Sequence, residues 1–373
     1  MDKKRSVMLA VGDLIFDSPE AYSLAALVEP TLATGDVVVG HLEVLFTSRG
    51  TRQVTEVPAP PCDPRHMGAV AAAHFNVLTL SGNHVWDSGE PGIEDTIELL
   101  NHYGILYTGA GMNIEEARRP ALMEKKGTRI GFLSYNCIGP CESWATPAKP
   151  GCAYVSVLTH YEQGHVTPGS PPVIYTFAEP GSLNAMMDDI RKLRAECDIL
   201  VVTLHKGAVH TPITLGMYEQ PVSYAAVDAG ADLILGSHAH ILKGIEIYKG
   251  RVIFHGLGNF ITVTKALTEA PNWNLAQWIE RRKRLFGFEP DPEYSSYPFH
   301  PEAKQTIIAK CIIEQKRIVR VSYIPCRVNP KGQPEVLKNS EGARQVFGYM
   351  EKITREAGLN TRFELDGDEV VVY

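Results

Sequence analysis

Long hydrophobic runs are missing from this sequence. No apolar window among its 373 residues approaches the length of about 20 residues that a membrane-spanning helix needs. The amino-terminal apolar run, Val7 to Val11, stops at Gly12, which makes it too short for the core of a secretory signal peptide. We therefore expect neither a membrane span nor a signal peptide.

Paired cysteines are also missing. The chain has 7 cysteines, an odd number, and they are scattered without the CxxC spacing that is typical of structural zinc sites. Cys137, Cys141 and Cys152 lie close in sequence, but their spacing does not favour a zinc site. Reduced thiols are the simplest explanation, and they predict a cytoplasmic protein.

Basic charge is in the minority. The chain carries 36 Lys and Arg residues against 43 Asp and Glu residues, which gives a formal net charge of −7. We expect no nucleic-acid partner, because contacts between basic side chains and phosphates supply most non-specific affinity for nucleic acids. The longest basic cluster, residues 281–284, is predicted to be a solvated helix face, with contact to an anionic substrate as the alternative.

What the sequence does contain is a set of five short apolar runs that each end on Asp, Glu, Asn or His. Continuous apolar runs of this kind are typical of strands buried on both faces, as in parallel sheets covered by helices. They predict an α/β protein. The runs cover residues 7–13, 37–43, 77–84, 199–205 and 231–240.

The polar ends of these runs predict a single functional rim. Ligands of such sheets gather outside the carboxyl ends of the strands. His238 and His240 share one face if the backbone is extended, so one metal or two neighbouring metals could take both imidazoles. The candidate residues are Asp13, Glu43, Asn83, His84, His205, His238 and His240.

No linker or repeat divides the chain, so we expect one domain over residues 1–373 with two inserts. Residues 136–180 are rich in proline and glycine and are predicted to lie near the metal rim. Residues 265–301 are rich in aromatics, and are predicted to form a flap or a subunit contact, the latter in a homodimer. Residues 302–373 are predicted to form a hairpin, a helix and an edge strand near Glu369.

A series of short motifs runs along residues 6 to 262. The motifs are Gly12-Asp13, Gly40-His41-Leu42-Glu43, Gly82-Asn83-His84 with Asp87 and Gly89, His205, residues 228–240 and Gly256-Leu257-Gly258-Asn259-Phe260. Their order and spacing resemble those of the capsule poly-γ-glutamate biosynthesis (CapA-like) family, part of the calcineurin-like metallophosphoesterase superfamily. The resemblance implies a four-layer α/β/β/α sandwich with two central mixed β-sheets and metals at the strand ends.

The resemblance also implies a role for each site residue. One of two divalent metals would be held by Asp13 and His240, with Glu43 as the bridge between the two ions. The other metal would be held by Asn83, His205 and His238. His84 would be a catalytic residue beside the metal-activated water, oriented by Asp87. Ligands that are nitrogen and oxygen without thiolate suit Mn, Fe or Zn.

The chain departs from the family pattern at several positions. Asp13 is followed by Leu14-Ile15, so the usual Asp-x-His ligand is absent. His41 shares a strand face with Glu43, and it either replaces that ligand or forms a structural hydrogen bond. Lys206 and His255 replace residue types common in the family, and both changes are predicted to alter the pocket.

Three functions fit these residues. The first is a metal-dependent hydrolase acting on a phosphoester or on a γ-glutamyl-type amide. The second is a non-hydrolytic component of poly-γ-glutamate or capsule polymer synthesis or export, and the third is a metal-stabilised binding module. Cations at Lys149, Lys206 and Lys265 would suit an anionic substrate, either a small molecule or an oligomer.

Overall fold

The structure is a computed structural model that describes residues 5–51, 53, 59–164, 171–264 and 275–373. The strands are β1 (Ser6–Phe16), β2 (Val37–Leu42), β3 (Val77–Thr79), β4 (Leu106–Thr108), β5 (Ala110–Gly111), β6 (Ala121–Lys125), β7 (Thr128–Asn136), β8 (Gly151–Cys152), β9 (Val157–Glu162), β10 (Val173–Ala178), β11 (Ile199–Lys206), β12 (Leu233–His238), β13 (Ile245–Tyr248), β14 (Arg251–Phe254), β15 (Asn259–Val263), β16 (Gln305–Glu314), β17 (Arg317–Val328), β18 (Pro334–Val336), β19 (Phe363–Asp366) and β20 (Glu369–Val372).

The helices lie between these strands or follow them. The α-helices are α1 (Ala21–Leu24), α2 (Glu29–Leu32), α3 (Met67–Ala72), α4 (Gly89–His102), α5 (Ile114–Ala117), α6 (Pro180–Arg194), α7 (Glu219–Ala229), α8 (Leu275–Phe286) and α9 (Glu341–Glu356). Short 3-10 turns cover Pro64–His66, Asn83–Trp86, Cys141–Ser143, Pro292–Tyr294 and Pro301–Lys304.

Two mixed sheets form the centre of the molecule. The first has the order β19-β20-β17-β16-β1-β2-β3-β4, with β15 also paired to β1 and β18 to β17. The second has the order β13-β14-β12-β11-β7-β6. In both sheets the strands that carry the predicted site residues run parallel to one another: β1 pairs parallel with β2, and β11 with β12. Their carboxyl ends therefore share one edge in each sheet.

Alternating side chains along the strands divide the core into layers. In β1, Leu9 belongs to a cluster with helices α1 to α4, whereas Met8 belongs to the cluster between the sheets. In β11, Val201 faces that same inter-sheet cluster, and Leu200 packs with α6 and α7. Both faces of these strands are buried, because helices cover the outer face of each sheet. The predicted four-layer α/β/β/α sandwich is confirmed.

The carboxyl-terminal segment extends the first sheet. β16 and β17 form an antiparallel hairpin, and β16 pairs with β1. The strand near Glu369 was predicted to lie at a sheet edge. This prediction is wrong, because β20 pairs with β17 on one side and with β19 on the other. Helix α9 contributes Met350 and Ile353 to the core between the sheets.

A close approach of two glycine backbones positions the start of the site. β15 pairs with β1 in parallel, with Asn259 opposite Asp13. The Asp13 amide donates to the Gly258 carbonyl at 3.0 Å. A Cβ on Gly12 would lie 1.8 Å from that same oxygen, so a side chain there would push the two strands apart.

The described residues contain no helix that combines the length and the apolar character needed to cross a lipid bilayer. All seven cysteines lie in the described ranges and are free thiols, as predicted.

Candidate metal centre

The predicted site residues converge between the two sheets. Asp13 comes from β1, and His41 and Glu43 come from the end of β2. The 3-10 turn Asn83–Trp86 follows β3 and carries Asn83 and His84, so the strand predicted to reach residue 84 ends earlier, at Thr79. The second sheet supplies His205 from β11, His238 from β12 and His240 two residues later.

The centre of the site is a buried cluster of four residues. Ligand atoms of Asp13, His41, Glu43 and His205 all lie within 4.8 Å of one another, and all four side chains are buried. This spacing suits bound metal contacted from several sides, since metal–ligand bonds in proteins are about 2.0 to 2.6 Å long.

The remaining candidates surround this cluster. His240 Nε2 lies 3.7 Å from Glu43 Oε1, and His240 Nδ1 lies 3.6 Å from Asp13 Oδ2. Asn83 Oδ1 is 2.9 Å from His205 Nε2. The ring centroids of His205 and His238 are 4.8 Å apart. The structure thus places every predicted ligand in one continuous group.

Most of the histidines use Nδ1 for a protein hydrogen bond. This pattern leaves Nε2 directed to the cluster and is typical of metal-ligating imidazoles, whose other nitrogen is fixed by an outer partner. The Nδ1 partners are Thr79 Oγ1 at 3.1 Å for His41, Ser237 Oγ at 3.0 Å for His205, Asn259 Oδ1 at 2.8 Å for His240 and Asp87 Oδ2 at 2.7 Å for His84.

Several polar atoms at the centre have no hydrogen-bond partner. They are both carboxylate oxygens of Glu43, Nε2 of His41 and Nδ1 of His238, and all of them are buried. Buried polar atoms are almost always paired in proteins, and an unpaired one costs about 1 to 3 kcal/mol. Four such atoms fit bound divalent metal, because a metal ion accepts the lone pairs of carboxylate oxygens and imidazole nitrogens.

The pKa values of the cluster residues also fit a bound cation. Burial raises the pKa of Asp13 to about 7, and burial together with the nearby Asp13 carboxyl raises the pKa of Glu43 well above its ordinary value. Burial lowers the pKa of His41 to about 3 and that of His240 to about 4. Two adjacent buried carboxyl groups need a cation to stay ionised, and the imidazoles are held in their neutral, metal-binding form.

His84 differs from the other histidines. Its Nδ1 donates to Asp87 Oδ2, and its Nε2 lies 3.9 Å from Glu43 Oε1. The side chain keeps 11 % exposure, more than the Glu43 side chain at 1 %. Asp87 Oδ2 also accepts the Ala59 amide at 3.1 Å, which fixes the carboxylate. His84 therefore lies at the boundary of the cluster with one ring nitrogen directed inward.

The backbone around the second-sheet ligands is strained. His238 has a φ of 83° and His240 a φ of 54°, in the left-handed region that side chains with a Cβ rarely adopt. His210, on the loop after β11, has a φ of 58°, and its amide donates to the Ala239 carbonyl at 2.9 Å. Backbone strain of this kind persists where the surrounding structure requires a particular side-chain direction, as at functional sites.

Sequence reasoning assigned no role to several residues that support the site: Thr79, Ser237, Asn259 and His210. The position of Asn259 could have been recognised from the sequence, because it lies in the Gly256–Phe260 motif at the end of an apolar run. Thr79 and Ser237 had none, since hydroxyl residues inside strands are common.

Both inserts contact the site region. Around Cys152 the first insert packs on the turn that carries Asn83 and His84, and the Lys149 ammonium lies 3.9 Å over the Trp86 ring. Strands β9 and β10 of this insert pair antiparallel. From the second insert, the Phe299 ring lies 5.0 Å from the His240 ring.

Both residues predicted to alter the pocket are buried and bonded to each other. Lys206 is fully buried, and its ammonium contacts Glu219 Oε2 at 3.0 Å and His255 Nδ1 at 2.9 Å. His255 Nε2 in turn donates to Glu246 Oε2 at 2.8 Å. The prediction that Lys206 faces a substrate is wrong, because its charge is paired inside the fold. Lys265 lies outside the described residues.

The basic cluster of residues 281–284 is also not uniformly solvated. Arg281, Lys283 and Arg284 are exposed, whereas Arg282 is buried against His210. Burial and the neighbouring Arg282 lower the pKa of His210 well below its ordinary value.

The layers and the cluster define the class of protein: a four-layer α/β/β/α sandwich with a candidate metal centre at its strand ends. Within that class, the chain belongs to the bacterial capsule synthesis protein PGA_cap family, whose profile matches residues 7–264. The CapA-like resemblance is thereby confirmed.

Curated relatives carry related names. The chain is 28% identical over 237 residues to the capsule biosynthesis protein CapA of Bacillus anthracis, which covers 63% of this chain and 52% of that protein. It is 26% identical over 302 residues to the PGA biosynthesis protein CapA of Bacillus subtilis, covering 80% and 71%. A probable polyglutamine synthesis accessory protein of Mycobacterium tuberculosis is 26% identical over 61% of this chain and 55% of its own. The chain thus spans about half the length of the first of these relatives.

Solved structures give weaker matches. The calcineurin-like phosphoesterase YfkN from Bacillus subtilis aligns with a TM-score of 0.41 and 12% identity, over 95% of this chain and 99% of that one. A hypothetical protein from Thermus thermophilus aligns with a TM-score of 0.46 and 14% identity, over 86% and 98%.

Proposed function

We propose that this protein is a metal-dependent hydrolase acting on a phosphoester or a γ-glutamyl-type amide. The observation that carries the proposal is the buried cluster of unpartnered ligand atoms on Glu43, His41 and His238, with His84 beside it. A structural metal site needs ligands only. It has no use for a partly exposed histidine oriented by a carboxylate at its edge.

The ligand assignment that we propose is the one that the family resemblance implies. Asp13 and His240 would bind one ion, and Asn83, His205 and His238 the other, with Glu43 between them. His41 has its Nδ1 held by Thr79 and its Nε2 unpartnered, which supports a ligand role in place of the absent Asp-x-His residue. Bound Mn, Fe or Zn ions would supply Lewis-acid stabilisation of negative charge and a water of lowered pKa.

The proton donor of the proposed reaction is His84. His84 Nδ1 is committed to Asp87, so its Nε2 is the nitrogen that can donate a proton to a leaving group beside Glu43. Proton transfer by a positioned histidine contributes about 10² to 10⁴ in rate.

The names of the relatives favour a second candidate function. They describe capsule or PGA biosynthesis and an accessory role in polymer synthesis. A non-hydrolytic component of poly-γ-glutamate or capsule synthesis or export fits those names, and it would use the metal centre for structure or binding. A cytoplasmic location and a homodimer both stay predictions.

The first experiment measures metal per chain by elemental analysis, on protein purified without chelators. We expect about two equivalents of Mn, Fe or Zn in the wild type, and a clear loss in Glu43→Ala and His238→Ala, because each variant removes a central ligand. Glu94→Ala, on the exposed face of α4, is the matched control. A wild-type value near zero that reconstitution does not raise would overturn the proposal.

Asp87→Asn should lower kcat by about 10- to 100-fold and leave KM nearly unchanged, because His84 loses the carboxylate that orients its ring. Steady-state kinetics on the best substrate found would measure the split. Asp95→Asn is the control, since Asp95 lies on α4 and pairs with the exposed Arg49 rather than with a histidine of the cluster. Equal kinetics for Asp87→Asn and wild type would remove Asp87 from the mechanism.

A further inference from the structure

His210 lies beside the candidate metal centre. It belongs to the loop between β11 and α7, it is buried with 4% exposure, and its backbone is bonded to Ala239, between the two candidate ligands His238 and His240. Its ring centroid is 6.2 Å from that of His240.

The second insert encloses this histidine with apolar rings. Phe286 and Phe288 each make an edge contact with the His210 ring at 5.1 Å, and Phe299 packs at 6.3 Å. Phe299 also contacts His240, so the same aromatic group covers both imidazoles. A polar group in such surroundings gains more from a hydrogen bond than one in water, because the local dielectric is low.

The contact with Arg282 fixes the tautomer of His210. Arg282 Nη1 lies 3.0 Å from His210 Nε2. A guanidinium has donors and no acceptor, so Nε2 must accept and the ring proton must be on Nδ1. That Nδ1 is buried and has no hydrogen-bond partner. The ring therefore presents a buried, oriented N–H donor whose acceptor is missing.

We propose that the Nδ1–H of His210 donates a hydrogen bond to an anionic oxygen of the substrate at the metal centre, and that Arg282 is the positioning residue that holds this tautomer. The inference rests on the proposed function and adds a specificity-determining contact to it. Arg282 lies beyond residues 7–264, the part that matches the family profile.

Inorganic phosphate and glutamate serve as separate probes for phosphate and carboxylate oxygens. Their binding is measured by calorimetry on zinc-loaded protein, after metal content has been verified for each variant. His210→Gln keeps an acceptor near the Nε2 position and removes the donor at Nδ1. For the probe that binds the wild type, we therefore expect the affinity to fall by about tenfold or more. His210→Asn keeps a donor near Nδ1 and tolerates the positive φ, so its affinity should stay within about threefold.

Arg282→Gln tests the positioning role against Arg281→Gln, which changes an exposed neighbour on the same helix. Nitrogen-15 NMR of the zinc-loaded wild type should show the His210 proton on Nδ1. Arg282→Gln should redistribute that proton between the two nitrogens and weaken the bound probe, whereas Arg281→Gln should change neither. A merely structural arginine would leave the tautomer unaltered.

The outcomes separate this inference from the proposed function. Two outcomes at normal metal content would overturn the inference without affecting the proposed metal centre. One is unchanged probe affinity in His210→Gln, and the other is that neither probe binds to the wild type. Absence of metal from wild type after reconstitution would overturn both. Equal losses of probe affinity in His210→Gln and His210→Asn, with unfolding temperatures unchanged, would also contradict the inference, because His210→Asn keeps the donor.

Discussion

Replacing His84 with alanine should lower kcat by about 10² to 10⁴-fold without changing the metal content. The expectation follows from its contacts: Nδ1 is bonded to Asp87, and Nε2 lies 3.9 Å from Glu43 outside the central group of ligands. Its loss removes a proton donor and no ligand. The rate is measured on the best substrate among p-nitrophenyl phosphate, bis-p-nitrophenyl phosphate and γ-glutamyl-p-nitroanilide.

A surface histidine gives the control for this variant. His102 lies exposed in the last turn of α4, so His102→Ala should keep the wild-type rate. Loss of metal together with activity in His84→Ala would show that His84 is a ligand, against its assigned role. Full activity in His84→Ala would favour a binding or assembly function over hydrolysis.

Glu219→Gln should destabilise the fold by about 3 to 5 kcal/mol, although the residue lies outside the cluster. Its carboxylate contacts the ammonium of Lys206 at 3.0 Å and that of Lys243 at 3.7 Å, and all three side chains are fully buried. Removing the shared anion leaves two buried cations without a counter-charge, which is the costly way to break a buried pair. Chemical denaturation measures the change in free energy of unfolding.

Asp228→Asn is the matched control on the same helix. Asp228 pairs with Lys249 at the surface, and exposed pairs contribute about 0 to 1 kcal/mol, so little change is expected. A loss below about 1 kcal/mol in Glu219→Gln would show that the buried network does not stabilise the fold.

The pH dependence offers a second check on the network. Burial lowers the pKa of Lys243 to about 8, below its value in the unfolded chain. Between these two pKa values the unfolded state binds more protons, so stability gains with rising pH. The stability lost in Glu219→Gln should therefore be partly recovered between about pH 8 and about pH 10. A further decrease over that range would contradict a buried, protonated Lys243.

The sheets and the rim could be predicted because burial leaves a direct trace in the sequence. Strands β1, β2, β11 and β12 are covered on both faces, so their apolar runs stand out, and parallel strands bring their polar ends together. The edge strand could not be placed, because β19 is short and mostly exposed and gives little hydrophobic signal.

The outer partners of the site could not be predicted, because they depend on register between segments far apart in the chain. Asn259 reaches His240 only because β15 pairs with β1 opposite Asp13. The pairing of Lys206 with Glu219 similarly needs the packing of α7 on β11. Because the sequence does not show this pairing, Lys206, which follows a predicted ligand, was interpreted as a substrate contact.

The origin of the ligands in two different sheets has a consequence for biosynthesis. Asp13, His41, Glu43 and Asn83 come from the first sheet, and His205, His238 and His240 come from the second. The first four emerge from the ribosome long before the other three, and neither group surrounds an ion alone. We therefore expect metal to be acquired only after the sheets have docked, so loading would report completed folding of the chain rather than accompany its synthesis.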